Sequence, residues 1–359
     1  MMKLRKPVLG SFGSSNFAVF TLIALVGLIV TFPAWAAAGA AGPEPADKIM
    51  GDYIGTYTPS AAAGTSPAQK PIESDAKVVP QGGGRYRVLL TVHQDTTPRL
   101  SVVLTGNAEG DSLALTGQGA QTEWKGMVEG GKTLVAESAA GKFDLKFTVR
   151  RSPTEGLKPP SDAIVLIPYK EGTAPSFDEW TGGAWKPMDD GSVMANGGDT
   201  HTKIKLGDFQ MHVEFRIPYE PTGRGQDRGN SGLYIHDIYE LQVLDSYGLP
   251  IANNECGAIY TQVAPKENAC FPPKSWQTYD ITFHAARSDD TGKKIKNATI
   301  TVVQNGVKVQ DETSISGPTG AARGRPEVAT AVLRLQDHNH PVRFRNMWLV
   351  ELKDEAAKP

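Results

Sequence analysis

The sequence predicts an all-β protein, and three observations carry that reading. The 359 residues hold 38 glycines and 25 prolines and few long helical repeats, which favours strands joined by turns. Phe209, Met211, Val213, Phe215 and Ile217 alternate with Gln210, His212, Glu214 and Arg216, the period of two of a strand with one apolar face. Asn305-Gly306 lies between Ala298–Val303 and Val307–Val309, a strong two-residue hairpin signal. The expected organisation is a larger β-rich domain preceded by a small antiparallel β domain. A formal net charge of -2 with no basic stripe and no acidic tail speaks against a nucleic-acid or polycationic partner.

The chain opens with a targeting pattern. Lys3, Arg5 and Lys6 precede the uncharged apolar run from Phe17 to Phe32, and Ala34-Trp35-Ala36 supplies small residues at a cleavage site. Residues 1–36 therefore read as a secretory signal, with a retained anchor as the alternative. The expected location is the periplasm, cell envelope or medium, with no membrane attachment after cleavage. Residues 37–47 are Ala/Gly/Pro-rich.

Residues 47–151 form the first β unit. Tyr53–Tyr57, Arg85–Val92, Ser112–Thr116, Trp124–Val128 and Phe143–Val149 are short alternating stretches separated by glycine turns, the pattern of a small barrel or sandwich. No cluster of His, Cys or carboxylates marks it as catalytic, so it reads as an accessory domain, for packing or for sugar binding. Residues 152–162 are a Pro-Pro-containing linker, and the second domain spans 163–353.

Within that domain, Tyr239, Leu241 and Val243 share one face of a strand, and Glu240 and Gln242 share the other. A carboxylate beside an amide over an apolar backing reads as the floor of a polar groove or as a solvated outer face. The loop Pro218–Gln226 is long enough to overhang such a groove. Acid/base candidates are Glu240, Glu214, Asp245, His212, His236 and His338. If the Glu214 and Glu240 strands were neighbours, their carboxyls would sit about 5 Å apart, as in a retaining glycosidase. Trp180 and Trp185 suit sugar stacking or core packing. Cys256 and Cys270 are the only cysteines, and an exported chain favours a disulfide between them, stabilising by about 3 kcal/mol.

Four blocks, in order, carry a resemblance. They are Gly229-Asn230-Ser231-Gly232-Leu233-Tyr234-Ile235 running into Tyr239–Gly248, Cys256–Tyr260, Trp276–Ile281, and Leu335-Gln336-Asp337-His338 with Val342–Asn346. Together they resemble the 3-keto-disaccharide hydrolase family over roughly residues 163 to 353. The resemblance implies a concanavalin-like jelly-roll sandwich and cleavage of a glycoside whose sugar is already a ketone at C3. That chemistry needs a base for the acidified C2 proton, a group to steady the enediolate and a donor for the leaving oxygen.

Glu240 or His338 is expected as base, Arg345 as oxyanion partner and Gln242 as a hydroxyl-orienting amide. Glu214, His212, Tyr234, His236, Asp245, Asn230 and Arg343 are expected to bind substrate. A divalent metal (Mn, Zn or Ca) held by Glu240 and His338 would replace the Arg345 role. The partner is a small carbohydrate. A non-catalytic carbohydrate-binding envelope protein is the alternative, and it becomes the better reading if Glu240, His338 and Arg345 point to separate surfaces. His338-Asn339-His340 and His236-Asp237 depart from the usual family pattern, which bears on substrate detail.

Overall fold

The computed structural model describes residues 47–60, 70–93, 100–119 and 121–353. The targeting segment and the insertion at 61–69 lie outside them. Residues from Asp47 onward form one compact unit, and it is all-β, with a single 3₁₀ turn at Gly320–Ala322 among the described residues.

Eight strands close a barrel in sequence order: β1 (Gly51–Pro59), β2 (Ile72–Gly82), β3 (Arg85–Val92), β4 (Ser101–Glu109), β5 (Ser112–Gly119), β6 (Thr122–Glu129), β7 (Thr133–Ser138) and β8 (Gly141–Thr148). β1 pairs with both β2 and β8, so no edge is left open. Alternate side chains fill the interior, among them Tyr53, Val88, Leu104, Trp124, Phe143 and Leu145. Between small sandwich and barrel, closure decides for the barrel. β2, β4 and β7 escaped the sequence reading. β2 carries charges and Pro80, and its apolar positions are small, so its alternation is faint.

The second part contains β9 (Ile164–Ile167), β10 (Trp180–Thr181), β11 (Lys186–Pro187), β12 (Val193–Met194), β13 (Thr200–Thr202), β14 (Phe209–Arg216), β15 (Ser231–Ile235) and β16 (Tyr239–Val243). It continues with β17 (Trp276–His284), β18 (Arg287–Ser288), β19 (Lys294–Lys296), β20 (Ala298–Gln304), β21 (Val307–Ile315), β22 (Arg334–Leu335) and β23 (Arg343–Glu351). One sheet has the order β10-β13-β22-β15-β16. A larger one has the order β11-β12-β23-β14-β17-β20-β21, with β9 beside β23. A single apolar cluster joins them, with Phe209, Val213, Phe215, Tyr279 and Phe283 from the larger sheet and Leu233, Tyr239, Leu241, Val243 and Leu335 from the smaller. The apolar alternation of β14 is thus the core side of a two-layer packing. Asn305 and Gly306 both take positive φ (52° and 84°), the hairpin geometry their sequence demands.

Trp180 and Trp185 are buried in this core, their indole N–H groups donating to the Leu166 and Gly198 carbonyls at 2.9 and 2.8 Å. They pack and do not offer a stacking face.

Candidate functional site

The outer face of the smaller sheet carries a row of polar side chains fixed by strand register. Thr181 pairs with His201, His201 with Arg334, Arg334 with Tyr234, and Tyr234 with Glu240. Side chains directly opposite in such pairs are neighbours, so the register alone brings Arg334, Tyr234 and Glu240 together. The alternate row, Thr200–Leu335–Leu233–Leu241, faces the core.

Glu240 is the centre of this row. It is 3 % exposed. Burial drives its carboxyl up to about 7, against the opposing pull of a hydrogen bond from Tyr234 and the charge of Arg334. Arg334 lies flat on the Tyr234 ring, 3.6 Å from its centroid, and pairs with Asp199 at 2.7 Å and Asp237 at 2.7 Å. Gln336 Nε2 donates to the Tyr234 hydroxyl at 3.3 Å.

β16 is the edge of its sheet, and two loops cover it. Tyr260 N–H donates to the Glu240 carbonyl at 3.0 Å, which sets Tyr260 beside Glu240. Burial, then the Glu240 charge, raises the Tyr260 phenol above its ordinary range. Thr319 Oγ1 accepts the Glu240 N–H at 2.8 Å and donates to the Ile238 carbonyl at 3.1 Å. This seats Gly320 (φ +45°) so close that an added Cβ would lie 3.3 Å from the Tyr260 ring and 3.4 Å from Glu240 Oε2.

Several expected site residues lie elsewhere. β14 and β16 belong to different sheets, so Glu214 and Glu240 are not a paired-carboxylate centre. Glu214, His212, Arg345 and Arg343 stand on the outer face of the larger sheet. Burial alone would raise Glu214, but hydrogen bonds from His212 and Asn346 and the Arg345 charge outweigh it and hold its carboxyl down at about 2. Arg345 Nε donates to Glu214 at 2.7 Å, and Asn346 Nδ2 does so at 2.8 Å. A bulge on β23, with Asn346 at φ 47°, turns both side chains to the same face.

Residues 152–157 cover that face. Gly156 N–H donates to Glu214 at 2.6 Å, Glu155 pairs with Arg345 at 3.1 Å, and Thr154 donates to Asp280, which in turn holds His212 at 2.6 Å. The group latches the linker onto the sheet. Arg343 pairs with Asp190, as does Arg216.

His236 also departs from expectation. In the turn between β15 and β16 both His236 and Asp237 take positive φ (54° and 59°). This sends His236 inward against Phe283, where burial lowers its pKa, and Asp237 outward to Arg334. Asp245 is buried in an ion pair with Arg228 at 2.5 Å. Gln242 is fully buried, its amide donating to Gln226 Oε1 at 2.8 Å, and Asn230 donates to the Gln226 carbonyl at 2.9 Å. His338 is exposed and stacks on His340 at 6.0 Å. Among the described residues no hydrogen bond or ion pair joins it to Glu240. His, Cys, Asp and Glu likewise form no metal-holding group of three or more among the described residues. Glu240 and His338 on their own supply two donors, and no step below uses a metal.

Cys256 and Cys270 are free, buried thiols, not the expected disulfide. Gln304 Nε2 donates to both sulfurs, at 3.5 and 3.4 Å, and Cys256 Sγ lies 3.1 Å from the Tyr279 hydroxyl. Each sulfur is held as a hydrogen-bonding thiol in a closed pocket.

Sequence reasoning missed Arg334, Tyr260, Thr319 and Asp199. Arg334 was within reach, because alternation through Arg334-Leu335-Gln336 puts it on the face of Gln336. Tyr260, Thr319 and Asp199 arrive on loops with no periodic signal.

A family model described as a 3-keto-alpha-glucoside-1,2-lyase-like domain matches residues 162–350, more than half of the chain. Two solved structures from Parabacteroides distasonis, both provisionally assigned as glycosyl hydrolases, are similar. The first has 39% identity and a TM-score of 0.48, covering 54% of this chain and 85% of that one. The second has 19% identity and a TM-score of 0.40, covering 54% and 94%. No curated protein matches the chain. By the family model, this chain belongs to the 3-keto-alpha-glucoside-1,2-lyase-like family.

Proposed function

We propose that the protein cleaves 3-keto-glycosides by elimination followed by hydration, with Glu240 as the base. One observation supports this most directly: a nearly dry carboxyl tuned to about 7, with a phenol bound to it and a guanidinium in the same row. A base of that strength matches a proton made acidic by a neighbouring ketone.

Glu240 takes the C2 proton, and the electron pair moves to the C3 oxygen, giving an enediolate. Arg334 steadies that charge, the role the resemblance implied for Arg345. The pair then returns to form a C1–C2 double bond as the C1 oxygen leaves with a proton from Tyr260. Water adds at C1 and gives its other proton to the Tyr260 phenolate, and Glu240, its proton exchanged with solvent, protonates C2, so the net change is hydrolysis. Tyr234 holds the Glu240 carboxylate in position throughout. The jelly-roll reading of the two sheets and an extracytoplasmic site of action, from the N-terminal segment, belong to the same proposal.

The separation of Glu240 from Arg345 is the condition under which a binding module was the better reading. Glu240 itself argues the other way. A binding face has no use for a buried carboxyl that ionises near neutrality, which costs stability when charged.

Incubation of the whole chain with a 3-keto-glucoside or 3-keto-trehalose in D₂O, with and without chelator, tests this. Released 3-keto-glucose carrying deuterium at C2 is expected, and Glu240→Gln should abolish it. Release without deuterium would leave hydrolysis in place of elimination; no release by the untreated protein would leave the binding module.

A further inference from the structure

The barrel has no assigned role, and its contacts with the second part suggest one. The end of its β2 meets the loop 218–229. Arg224 Nη2 donates to the Gln81 carbonyl at 2.7 Å and Arg228 Nη1 to the Pro80 carbonyl at 3.3 Å. Gly82 abuts Thr222 so closely that an added Cβ would sit 2.6 Å from Thr222 Cγ2.

The same loop reaches the site's surroundings by two arms. Gln226, between the two anchoring arginines, caps Gln242, two residues along β16 from Glu240. Glu220 accepts the Gly229 N–H at 2.7 Å and holds His340 Nδ1 at 2.6 Å, fixing the turn that carries His338. Arg228 completes the frame through Asp245.

We propose that the barrel is a positioning element for the substrate site. The end of β2 fixes the 218–229 loop and, through Gln226 and Glu220, the buried Gln242 that backs β16 beside Glu240 and the turn that carries His338. Gly82 and Thr222 are the positioning residues of this contact, and neither touches substrate. The substrate part rests on the function proposed above; the mechanical part does not.

The test compares Gly82→Ala with Gly83→Ala in the full chain. Both positions have positive φ (79° and 60°), so both carry the backbone strain of an added Cβ, but only at Gly82 does that Cβ meet a neighbour. Amide exchange in residues 219–230 and 336–342 should quicken about tenfold in Gly82→Ala and stay near wild type in Gly83→Ala. KM for a 3-keto-glucoside should rise about fivefold with kcat little changed.

Gly82→Ala with Thr222→Ala, which removes the clashing methyl, should restore both readings. Equal exchange in the two glycine variants would overturn the proposal, as would no rescue by Thr222→Ala. Faster exchange with unchanged KM, in an enzyme that turns over, would overturn the substrate part. If the wild type shows no turnover, the function proposed above fails, while the exchange measurements still judge the mechanical claim.

Discussion

Tyr234 and Glu240 are direct register partners across the β15–β16 ladder, which sets the Tyr234 phenol against the Glu240 carboxyl. The hydroxyl favours the charged carboxylate while burial disfavours it, and the balance leaves Glu240 ionising at about 7. A carboxyl in that position is a base above neutrality and an acid below it.

Activity should therefore rise with pH through a midpoint near 7, because the base works deprotonated. Stability should run the other way. The folded carboxyl keeps its proton up to about 7, whereas the unfolded one releases it near 4.5, so stability falls as pH rises between those values. Glu240→Gln removes that cost. It should abolish turnover yet gain about 3 kcal/mol over wild type between pH 4 and pH 8, on the scale of ~1.4 kcal/mol per pH unit. Urea midpoints at the two pH values check the sign.

Tyr234→Phe deletes the donor and leaves the ring under Arg334. With that stabilisation of the charged form gone, the Glu240 pKa rises. The activity midpoint should move to higher pH by about one unit, since hydrogen bonds to charged groups are worth ~1.5–3 kcal/mol. A pH–rate profile with an unmoved midpoint would remove Tyr234 from this role.

Glu214→Ala tests the linker latch. It leaves Arg345, 6 % exposed, with Glu155 alone as carboxylate partner, and strips Asn346 and the Gly156 N–H of their acceptor. The loss should be about 3–5 kcal/mol in urea unfolding, as for other broken buried pairs. At a temperature where the variant stays folded, kcat should be close to wild type, because Glu214 lies on the far sheet. A selective loss of kcat would return Glu214 to the catalytic machinery.

The two cysteines give a simple count. Native protein should react with no thiol reagent, as both sulfurs are buried. Protein unfolded in guanidinium without reductant should titrate two thiols per chain. Zero thiols after unfolding would mean that the pair is oxidised.

The sequence by itself determined the all-β class, the Asn305-Gly306 hairpin, the core face of β14 and the place of Glu240 on the polar face of its strand. These are local matters: side-chain alternation and turn chemistry act within a few residues. It also assembled the family signature, because the blocks lie in the line of the chain. The tertiary structure alone decided which polar faces meet. Glu214 and Arg345 alternate as regularly as Glu240, but strand order puts them on the other sheet, and the β23 bulge and the linker turn that face into a latch. His236 and Asp237 were interchangeable on paper until two positive-φ residues sent one inward and the other to Arg334. Tyr260, Thr319 and Gly320 reach Glu240 because β16 is an edge strand whose open hydrogen-bonding groups need partners, and loops from far along the chain supply them. Long-range pairing of this kind leaves no periodic trace in the sequence that it satisfies.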